Sequence, residues 1–414
     1  AEVVVYDRLV GDSILLMMPE SAEKIDAGKR SGDHTMPQEE MNRLLLQKAQ
    51  EGKRVVRLKG GDPFLFGRGG EELTLLAEHG IPFEVVPGVT SAIAVAAYNG
   101  IPITHRDFAS SVHIITGHKK KDEPLELDFA TLAKLEGTLV FLMGVSALED
   151  ICTGLVRAGK EKETPAALLS RGTTSRQARI VSTLDKLPEE VKKHPLMTPA
   201  IIVIGKVCAL SEEFAWYEKL PLFGRKIIVT RPKERMAPIA ASLRNLGAEV
   251  LELPTIAIAP CTIEMLPEQG SALEQLDTYQ YLVFTSPSGV DSFFELLREK
   301  RMDIRRFSNG KIAVIGAGTS AQLRKYGLIA DLMPEIYDAV HLGRCIEADC
   351  KDGDKILIPR ARIGSQELIE EITKRKKVTI ADLPIYDTIE KETPVLELPD
   401  LTKEDAMVVF TSAS

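Results

Sequence analysis

The chain has 414 residues, of which 44% are hydrophobic and 27% are charged, and its formal net charge is −8. We expect it to fold into about two to four globular domains, because one domain usually takes about 100–200 residues. The acidic balance argues against general nucleic-acid binding, which needs a basic surface. An anionic small molecule is compatible with this charge, provided that a local group of arginines and lysines binds it.

The cysteine spacing indicates a reducing compartment, and the hydropathy pattern indicates no membrane span. The five cysteines are scattered and never spaced as Cys-x-x-Cys, at Cys152, Cys208, Cys261, Cys345 and Cys350. This pattern favours buried thiols over a disulfide framework or a zinc site, and no histidine pair has helical ligand spacing, so we expect no metal. No apolar run reaches the ~18 residues of a membrane span and no signal peptide is visible, so we expect a cytoplasmic protein.

Short β-branched runs alternate with amphipathic helical stretches, which predicts α/β architecture with largely parallel sheets. The chain opens on a predicted strand, Val3–Tyr6, and apolar residues at helical spacing predict a helix over Gln38–Gln50. Further strands of the first half are predicted at Arg54–Leu58, Phe83–Val86, Val112–Thr116, Thr138–Met143, Ala166–Ser170 and Ala200–Gly205.

A boundary is predicted after residues 216–224, where one helical pattern ends before a fresh strand at Lys226–Thr230. Within the second half, Val283–Ser288 recurs as Val409–Ser414. Each copy reads as a strand that runs into a Thr/Ser loop suited to cap a helix, which predicts two similar lobes. A parallel strand uncovered on one face does not end a domain, so we expect the protein to continue beyond both termini of this sequence.

The densest signal is the block Val55–Glu72, in which a strand runs into Gly60-Gly61, an Asp-Pro turn and a second glycine cluster. Glycine lets the backbone approach a ligand closely, and ligands settle at the carboxyl ends of strands in open α/β sheets. An ordinary tight loop is the alternative interpretation. The block is neither a Gly-Lys-Ser/Thr phosphate loop nor a Gly-x-Gly-x-x-Gly dinucleotide turn.

Together with its neighbours, this block strongly resembles the tetrapyrrole methylase family, and within it the uroporphyrinogen-III C-methyltransferases. The resemblance covers nearly all of residues 1–218, which implies a two-lobed fold with lobes at about 1–108 and 109–218. The chain begins after the family's first strand and its Gly-x-Gly-Pro-Gly-Asp loop. The matching runs are Tyr6–Val10, His34–Asn42, Arg54–Glu72, Val86–Ala92, Gly100–Arg106 and Thr116–His118.

The resemblance implies S-adenosyl-L-methionine as cofactor and assigns roles to particular positions. Asp7 and Lys29 match the family's proton acceptor and donor, while Arg68, Glu71 and Arg106 match positions that engage substrate. The cofactor is expected to contact Gly60, Gly61, Asp62, Leu65, Thr90, Ser91, Met143 and Gly172. These choices suit the chemistry, because uroporphyrinogen III carries eight carboxylates for guanidinium groups and ring methylation needs a base.

Each assignment has an alternative that involves no catalysis. Asp7 is also suited to capping a turn, and Lys29 lies in a polar stretch where a solvated lysine is expected. Glu71 is also explained as a favourable charge in the first turn of a helix. Met143, without the family, reads as a core residue.

The second half, residues 225–414, offers loop hydroxyls and glycines in place of reactive pairs. Its strand-Thr-Ser-Pro-Ser loop, its Ile-Gly-x-x-Thr turn and its Tyr386 segment resemble uroporphyrinogen-III synthase, in that family's order. The resemblance implies a two-lobed, flavodoxin-like fold, with one lobe at 225–258 plus 389–414, the other at 259–388, and residues 219–224 as a linker. It also implies ring closure of hydroxymethylbilane without a cofactor. The candidate residues are Thr285, Ser286, Ser288, Thr319 and Tyr386.

The leading interpretation is a bifunctional enzyme that closes hydroxymethylbilane to uroporphyrinogen III and methylates that product twice to precorrin-2. Tyr386 is the candidate general acid, although a buried tyrosine that satisfies a hydrogen bond is an equal alternative. Two other hypotheses are a methylase of a later precorrin and a second half that binds without catalysis. The first family also implies a homodimer formed through the methylase half.

Overall fold

The structure is a computed structural model that describes residues 1–7, 9–15, 17–19, 21–28, 36–117, 126–230, 233–261, 272–390 and 406–410. Strands and helices alternate along the described chain, which confirms the predicted α/β class. None of the described helices combines the length and apolar character needed to cross a membrane. The described residues fall into two compact units, the first from Ala1–Val229, Ala237–Leu253 and Val395–Ser414, the second from Thr230–Met236 and Pro254–Pro394.

The first unit opens with a small parallel sheet whose middle strand is β1 (Val3–Tyr6). Strand β1 pairs with β2 (Glu23–Asp26) on one side and β3 (Val55–Leu58) on the other. The helices of this region are α1 (Asp12–Leu15), α2 (Gln38–Gln50) and α3 (Gly69–Glu78). The sequence predicted β1 and α2 with these same bounds, because β1 is a continuous apolar run buried on both faces and α2 has apolar residues at helical spacing.

A five-stranded sheet follows, in the order β4-β5-β8-β6-β7. Strand β4 is parallel to β5, whereas β8 is antiparallel to both β5 and β6, so β4, β5 and β6 run in the same direction. Their carboxyl ends therefore lie at one edge of the sheet. The strands are β4 (Val112–Thr116), β5 (Thr138–Leu142), β6 (Pro165–Ser170), β7 (Ala178–Thr183) and β8 (Ala200–Ile204).

Both faces of this sheet are covered. On β5, Val140 and Leu142 join the core with helix α4, while Leu139 and Phe141 join the opposite core with α6 and α7. A strand buried on both faces reads as a continuous apolar run, which is why Thr138–Leu142 was readable from sequence. The helices are α4 (Ser91–Tyr98), α5 (Phe129–Lys134), α6 (Leu148–Arg157) and α7 (Leu187–Lys193).

The first unit ends with a three-stranded parallel sheet in the order β10-β9-β16. Strands β9 (Lys226–Val229) and β10 (Glu249–Glu252) are joined through helix α8 (Lys233–Asn245), and β16 (Ala406–Val409) pairs with β9 from far along the chain. A β-helix-β connection is the usual link between neighbouring parallel strands.

The second unit holds a five-stranded sheet in the order β11-β15-β14-β12-β13. Only β11 is antiparallel to its neighbour, so β12 to β15 share one carboxyl edge. The strands are β11 (Ile256–Pro260), β12 (Tyr281–Phe284), β13 (Lys311–Val314), β14 (Lys355–Ala361) and β15 (Thr379–Glu390). The helices are α9 (Pro287–Glu299), α10 (Ala317–Arg324), α11 (Ala339–Asp349) and α12 (Glu367–Thr373).

One predicted element is wrong. Residues Phe83–Val86 form neither a strand nor a helix, although their composition favours a strand. A strand is stabilised by its ladder of hydrogen bonds, and no described strand pairs with this segment. The remaining short elements are 3-10 turns at Val145–Ala147, Lys206–Leu210, Tyr217–Lys219, Leu276–Thr278 and Ile304–Arg306.

Candidate active sites

The carboxylate of Asp62 joins the two glycine turns of the first half. Its Oδ1 accepts hydrogen bonds from the backbone N–H groups of Phe64 (2.9 Å) and Leu65 (3.1 Å), and its Oδ2 accepts one from Gly88 (3.0 Å). These N–H groups, that of Gly88 first, lower the pKa of Asp62 from its ordinary value. The loop after β3 and the Pro87-Gly88 turn, 26 residues apart, therefore meet at one side chain.

Glycine is required at this junction. A Cβ on Gly88 would lie 2.2 Å from the carbonyl oxygen of Gly61, and Gly61 itself has φ +80°. A Cβ on Gly67 would lie 2.6 Å from the carbonyl oxygen of Pro63. Side chains are therefore excluded from the main chain here, which leaves a surface of bare backbone that a ligand can approach.

Helix α4 begins beside this junction and connects it to a third candidate segment. The hydroxyl of Thr90 caps the helix by accepting from the N–H of Ala92 (3.3 Å), and Ser91 is exposed in the first turn. One turn further along the helix, Val95 packs closely on Gly172: a Cβ added to Gly172 would lie 2.4 Å from Cγ1 of Val95. The segments that carry Asp62, Thr90 and Gly172 therefore form one continuous region.

Met143 and Gly172 follow β5 and β6, whose carboxyl ends share an edge of the five-stranded sheet. Strand β8 lies between them, so the two strand ends are about 10 Å apart. Met143 is 51% exposed, which contradicts the alternative that it is a core residue. The backbone is close-packed behind it, because a Cβ on Gly117 would lie 2.6 Å from the Cα of Gly144.

Backbone strain is concentrated at these segments. Six described residues other than glycine have positive φ, and Arg301 is the one that lies in the second half. Such conformations cost free energy, and they persist where the surroundings impose them, often at functional sites. Of the other five, Met143 is itself a candidate cofactor residue and the rest lie within three residues of one, at Phe66, Arg68, Arg171 and Thr173.

A buried charge network surrounds Asp7, the candidate base. Arg57 donates through Nη2 to Asp7 Oδ1 (2.5 Å) and through Nε to Glu72 Oε1 (3.1 Å). Lys59 Nζ donates to the same oxygen of Glu72 (2.8 Å) and lies 4.0 Å from Asp7 Oδ2. Two cations thus stand between two carboxylates, and the Glu72 side chain is only 5% exposed. The network fixes the Asp7 carboxylate at the end of β1 beside the glycine loop.

Arg57, Lys59 and Glu72 were not among the residues expected from the sequence. A signal existed, since residues two apart on a strand point to the same face, so Arg57 and Lys59 emerge together at the end of β3. Glu72 gave a weaker signal, because an acidic residue in the first turn of a helix is common.

Of the candidate substrate residues, Arg68 and Glu71 adjoin the glycine loop. Arg68 donates to Glu71 Oε2 from both Nε (2.9 Å) and Nη2 (2.6 Å), and this hydrogen-bonded carboxylate raises the pKa of the Arg68 guanidinium. Arg106 is exposed in the turn after α4. Lys29 lies outside the described residues. The structure therefore pairs Arg68 with Glu71.

In the second unit the candidate hydroxyls gather at the carboxyl edge of the sheet. Ser286 follows β12 and caps helix α9, where its Oγ accepts from the N–H of Gly289 (2.9 Å). The hydroxyl of Tyr386, on β15, lies 2.9 Å from the same oxygen. Tyr386 is 6% exposed, so this hydrogen bond satisfies a buried phenol and orients it. Strands β12 and β15, 100 residues apart, thus meet at one pair of hydroxyls.

The other candidate hydroxyls of this unit differ in burial. Thr285 is half-buried just after β12, whereas Ser288 and Thr319 are buried in the first turns of α9 and α10. Those two helices start side by side, since a Cβ on Gly318 would lie 4.0 Å from Cγ of Pro287. Helix N-termini expose backbone N–H groups, so the edge offers donors to an anionic ligand.

The described part of the chain contains no group of three or more His, Cys, Asp or Glu residues suited to hold a metal ion. All five cysteines are free thiols. Burial raises the pKa of Cys152 and of Cys208 to about 12, so both thiols are protonated at neutral pH.

Comparison with known proteins assigns a family to each half. The model of the tetrapyrrole (corrin/porphyrin) methylases matches residues 1–188, and that of uroporphyrinogen-III synthase HemD matches residues 237–414. The porphyrin biosynthesis protein HemD of Ruminiclostridium josui is 46% identical over 100% of this chain and 82% of its own length. The uroporphyrinogen-III C-methyltransferase of Bacillus subtilis is 40% identical over 81% of this chain and 68% of its own length.

Two further similarities concern the first half alone. A siroheme synthase of Pseudomonas putida is 51% identical over 53% of this chain, which spans 47% of that protein's length. Among solved structures, the uroporphyrin-III C-methyl transferase of Thermus thermophilus in complex with S-adenyl homocysteine is 39% identical, with a TM-score of 0.43. The similarity covers 50% of this chain and 87% of that one.

Proposed function

Because the chain belongs to the family that joins a tetrapyrrole methylase to a uroporphyrinogen-III synthase, we propose that its first half converts uroporphyrinogen III to precorrin-2. Two methyl groups pass from S-adenosyl-L-methionine to C-2 and C-7 of the macrocycle. The second half closes hydroxymethylbilane to uroporphyrinogen III and uses no cofactor. The halves comprise residues 1–218 and 225–414, with 219–224 between them.

The observation that carries the methylase proposal is the junction at Asp62. A turn that forbids a Cβ at Gly88 leaves bare backbone beside the loop, and this surface fits a nucleoside cofactor. When bound, the cofactor supplies an electrophilic methyl group. The residues that would hold it are Gly60, Gly61, Asp62, Leu65, Thr90, Ser91, Met143 and Gly172. The strained, exposed Met143 supports this assignment, since an apolar side chain held at a strand end suits an apolar contact with the ligand.

Asp7 accepts the proton that the reacting pyrrole releases. Arg57 and Lys59 hold its carboxylate in place, so the base is oriented before substrate arrives. A carboxylate suffices as this base, because a pyrrole that has gained a methyl cation is a strong acid. Each methyl transfer releases one proton overall, so a proton that Lys29 donates at one position of the macrocycle is matched by a second proton lost from another position.

Arg68 and Arg106 bind the acidic side chains of the macrocycle. A planar guanidinium recognises a carboxylate through two parallel hydrogen bonds, and the eight carboxylates of uroporphyrinogen III offer many such pairs. Glu71 holds Arg68 through two hydrogen bonds, which orients the guanidinium at the start of helix α3.

In the second half, Tyr386 donates a proton to the hydroxyl group that leaves hydroxymethylbilane. Its hydrogen bond with Ser286 fixes the phenol at the carboxyl edge of the sheet. Thr285, Ser288 and Thr319 belong to the same edge, where backbone N–H groups and hydroxyls bind the folded bilane. The product is then the substrate of the first half, which gives the fusion a chemical reason.

We also propose that the chain forms a homodimer through the methylase half. Large apolar side chains are exposed there, with Val86 at 74%, Val89 at 71% and Phe83 at 50%, and a patch of this kind is typical of an interface. Sedimentation equilibrium of the full chain should give twice the monomer mass. A monomer at all concentrations would contradict this.

The full chain should be incubated with hydroxymethylbilane and methyl-labelled S-adenosyl-L-methionine. We expect the label in a dimethylated tetrapyrrole. An Asp7→Asn variant should stop at unlabelled uroporphyrinogen III, whereas a Tyr386→Phe variant should methylate only uroporphyrinogen III that is supplied. Methylation of a supplied later precorrin without methylation of supplied uroporphyrinogen III would contradict the proposed substrate. A type I ring product formed from hydroxymethylbilane would contradict the synthase assignment.

A further inference from the structure

The loop after β6, residues 171–177, carries the candidate cofactor residue Gly172 in a strained backbone. Its neighbours Arg171 and Thr173 have φ +45° and +70°, which are unfavourable for residues with a Cβ. Such a loop keeps its shape only when the surroundings hold it. The side chains that hold it therefore control the position of Gly172.

One set of anchors comes from the end of the first half. Gln177 is 5% exposed; its Oε1 accepts from the N–H of Thr173 (3.1 Å), and its Nε2 donates to Glu218 Oε1 (2.6 Å). The hydroxyl of Tyr217 lies 3.5 Å from the carbonyl oxygen of Thr173. These contacts tie the loop to the segment that precedes the linker.

The other anchor is Glu249, the first residue of β10. Its Oε2 accepts from the hydroxyl of Ser175 (3.1 Å) and lies 3.2 Å from Nε of Arg176. Its Oε1 lies 3.6 Å from Nζ of Lys226 on the neighbouring strand β9. Ser175 is only 5% exposed, so this contact is a packed one. Glu249 belongs to the range matched by the synthase family, residues 237–414.

We propose that Glu249 is a positioning residue for the methyl-donor loop, contributed by the synthase half to the methylase half. The inference rests on the proposed function, because it takes Gly172 as a cofactor contact. Glu249 accepts from two consecutive loop residues, Ser175 and Arg176, and is itself held by Lys226. Without it the loop loses the anchor of its second part, residues 175 and 176, so the strained segment at Gly172 relaxes away from the cofactor more easily.

The test compares two glutamates at the ends of one short strand. Glu249→Ala removes the anchor, whereas Glu252→Ala removes a carboxylate that pairs with Arg244, outside the loop. In the full chain, Glu249→Ala should raise the Kd for S-adenosylhomocysteine, measured by calorimetry, at least about five-fold. The KM for S-adenosyl-L-methionine should rise in parallel while kcat changes less than about two-fold. Glu252→Ala should leave both constants at their wild-type values.

A double-mutant cycle separates positioning from general damage. Ser175→Ala removes the partner hydroxyl, so it should weaken binding of S-adenosylhomocysteine alone and add nothing in the Glu249→Ala background. Glu249→Gln keeps an acceptor oxygen and should restore part of the affinity. If Glu249→Ala fails to fold, the same cycle is measured with Ser175→Ala and Glu249→Gln, and effects on the Kd for S-adenosylhomocysteine that are not additive support the inference.

Equal affinity of Glu249→Ala and wild type would overturn the inference, as would equal losses in Glu249→Ala and Glu252→Ala or additive effects in the cycle. These results leave the proposed function intact, since the wild-type chain still binds the probe. A wild-type chain that does not bind S-adenosylhomocysteine would instead overturn the proposed function, and this inference with it.

Discussion

Replacing Gly88 by alanine should disable the candidate cofactor site while leaving the second half active. The new Cβ would lie 2.2 Å from the carbonyl oxygen of Gly61 and 2.8 Å from its carbonyl carbon. Both are backbone atoms, so no side-chain rotation relieves the overlap and the two turns must move apart. Separation also breaks the hydrogen bond from the Gly88 N–H to Asp62.

The size of the effect follows from overpacking. Inserting one carbon into a close-packed contact costs about 1–3 kcal/mol. If the turns separate in the unbound protein and must return when the cofactor binds, the same cost appears as a Kd about 5- to 150-fold higher. We therefore expect calorimetry with S-adenosylhomocysteine to show a loss within this range.

Gly70 supplies the matched control. It lies in the first turn of α3, close to the same loop, and a Cβ there meets nothing within 4 Å. Gly70→Ala should bind the probe as the wild type does. Both variants should consume hydroxymethylbilane at the wild-type rate. Wild-type affinity in Gly88→Ala would refute the reasoning, and so would an equal loss in Gly70→Ala.

Three further predictions concern buried or hydrogen-bonded groups. Glu72→Gln should lower the free energy of unfolding in urea by about 3–5 kcal/mol, because it leaves the two buried cations Arg57 and Lys59 short of a carboxylate. Glu78→Gln, at an exposed position of the same helix, should leave this free energy unchanged, and equal stabilities of the two variants would contradict the prediction. Tyr386→Phe should slow consumption of hydroxymethylbilane roughly 100- to 10,000-fold without changing methylation of supplied uroporphyrinogen III, and a rate within two-fold of wild type would exclude the general acid. The hydrogen bond from the Gly88 N–H lowers the pKa of Asp62 from its ordinary value of 3.8. The ionised Asp62 therefore stabilises the folded state above pH 3.8, and this contribution is lost as the pH falls through the lowered pKa. The advantage of wild type over Asp62→Asn in thermal unfolding should therefore shrink below pH 3.8, and an advantage independent of pH would contradict the linkage.

The sequence predicted elements well where a continuous apolar run or apolar residues at helical spacing determine them. Val3–Tyr6 and Gln38–Gln50 have the predicted bounds, and the strand at Thr138–Met143 ends one residue earlier, at Leu142. The strand expected at Phe83–Val86 did not form, because strand formation depends on a partner that propensity does not reveal.

Site residues were readable as motifs, but their connections were not. Asp62 and Gly88 each belong to a recognisable turn, yet the hydrogen bond between them depends on how the loop after β3 meets α4. The link from Ser175 to Glu249 joins residues 74 apart, in ranges matched by two different families. Long-range contacts of this kind arise from packing, which local patterns do not encode.

The two halves position their candidate residues by different physical means, and this predicts different tolerance to substitution. In the first half, strained backbone and forbidden Cβ positions shape the site, so a single added carbon displaces main chain. In the second half, Ser286 caps a helix, Tyr386 lies in β15, and the two are joined by one hydrogen bond between side chains. Loss of a hydroxyl there removes about 0.5–1.5 kcal/mol of interaction without moving the backbone. A single substitution at a glycine turn should therefore cause a large loss of cofactor affinity. A single hydroxyl replacement in the second half should cause only a small loss of synthase activity, except at Tyr386, where a proton is transferred.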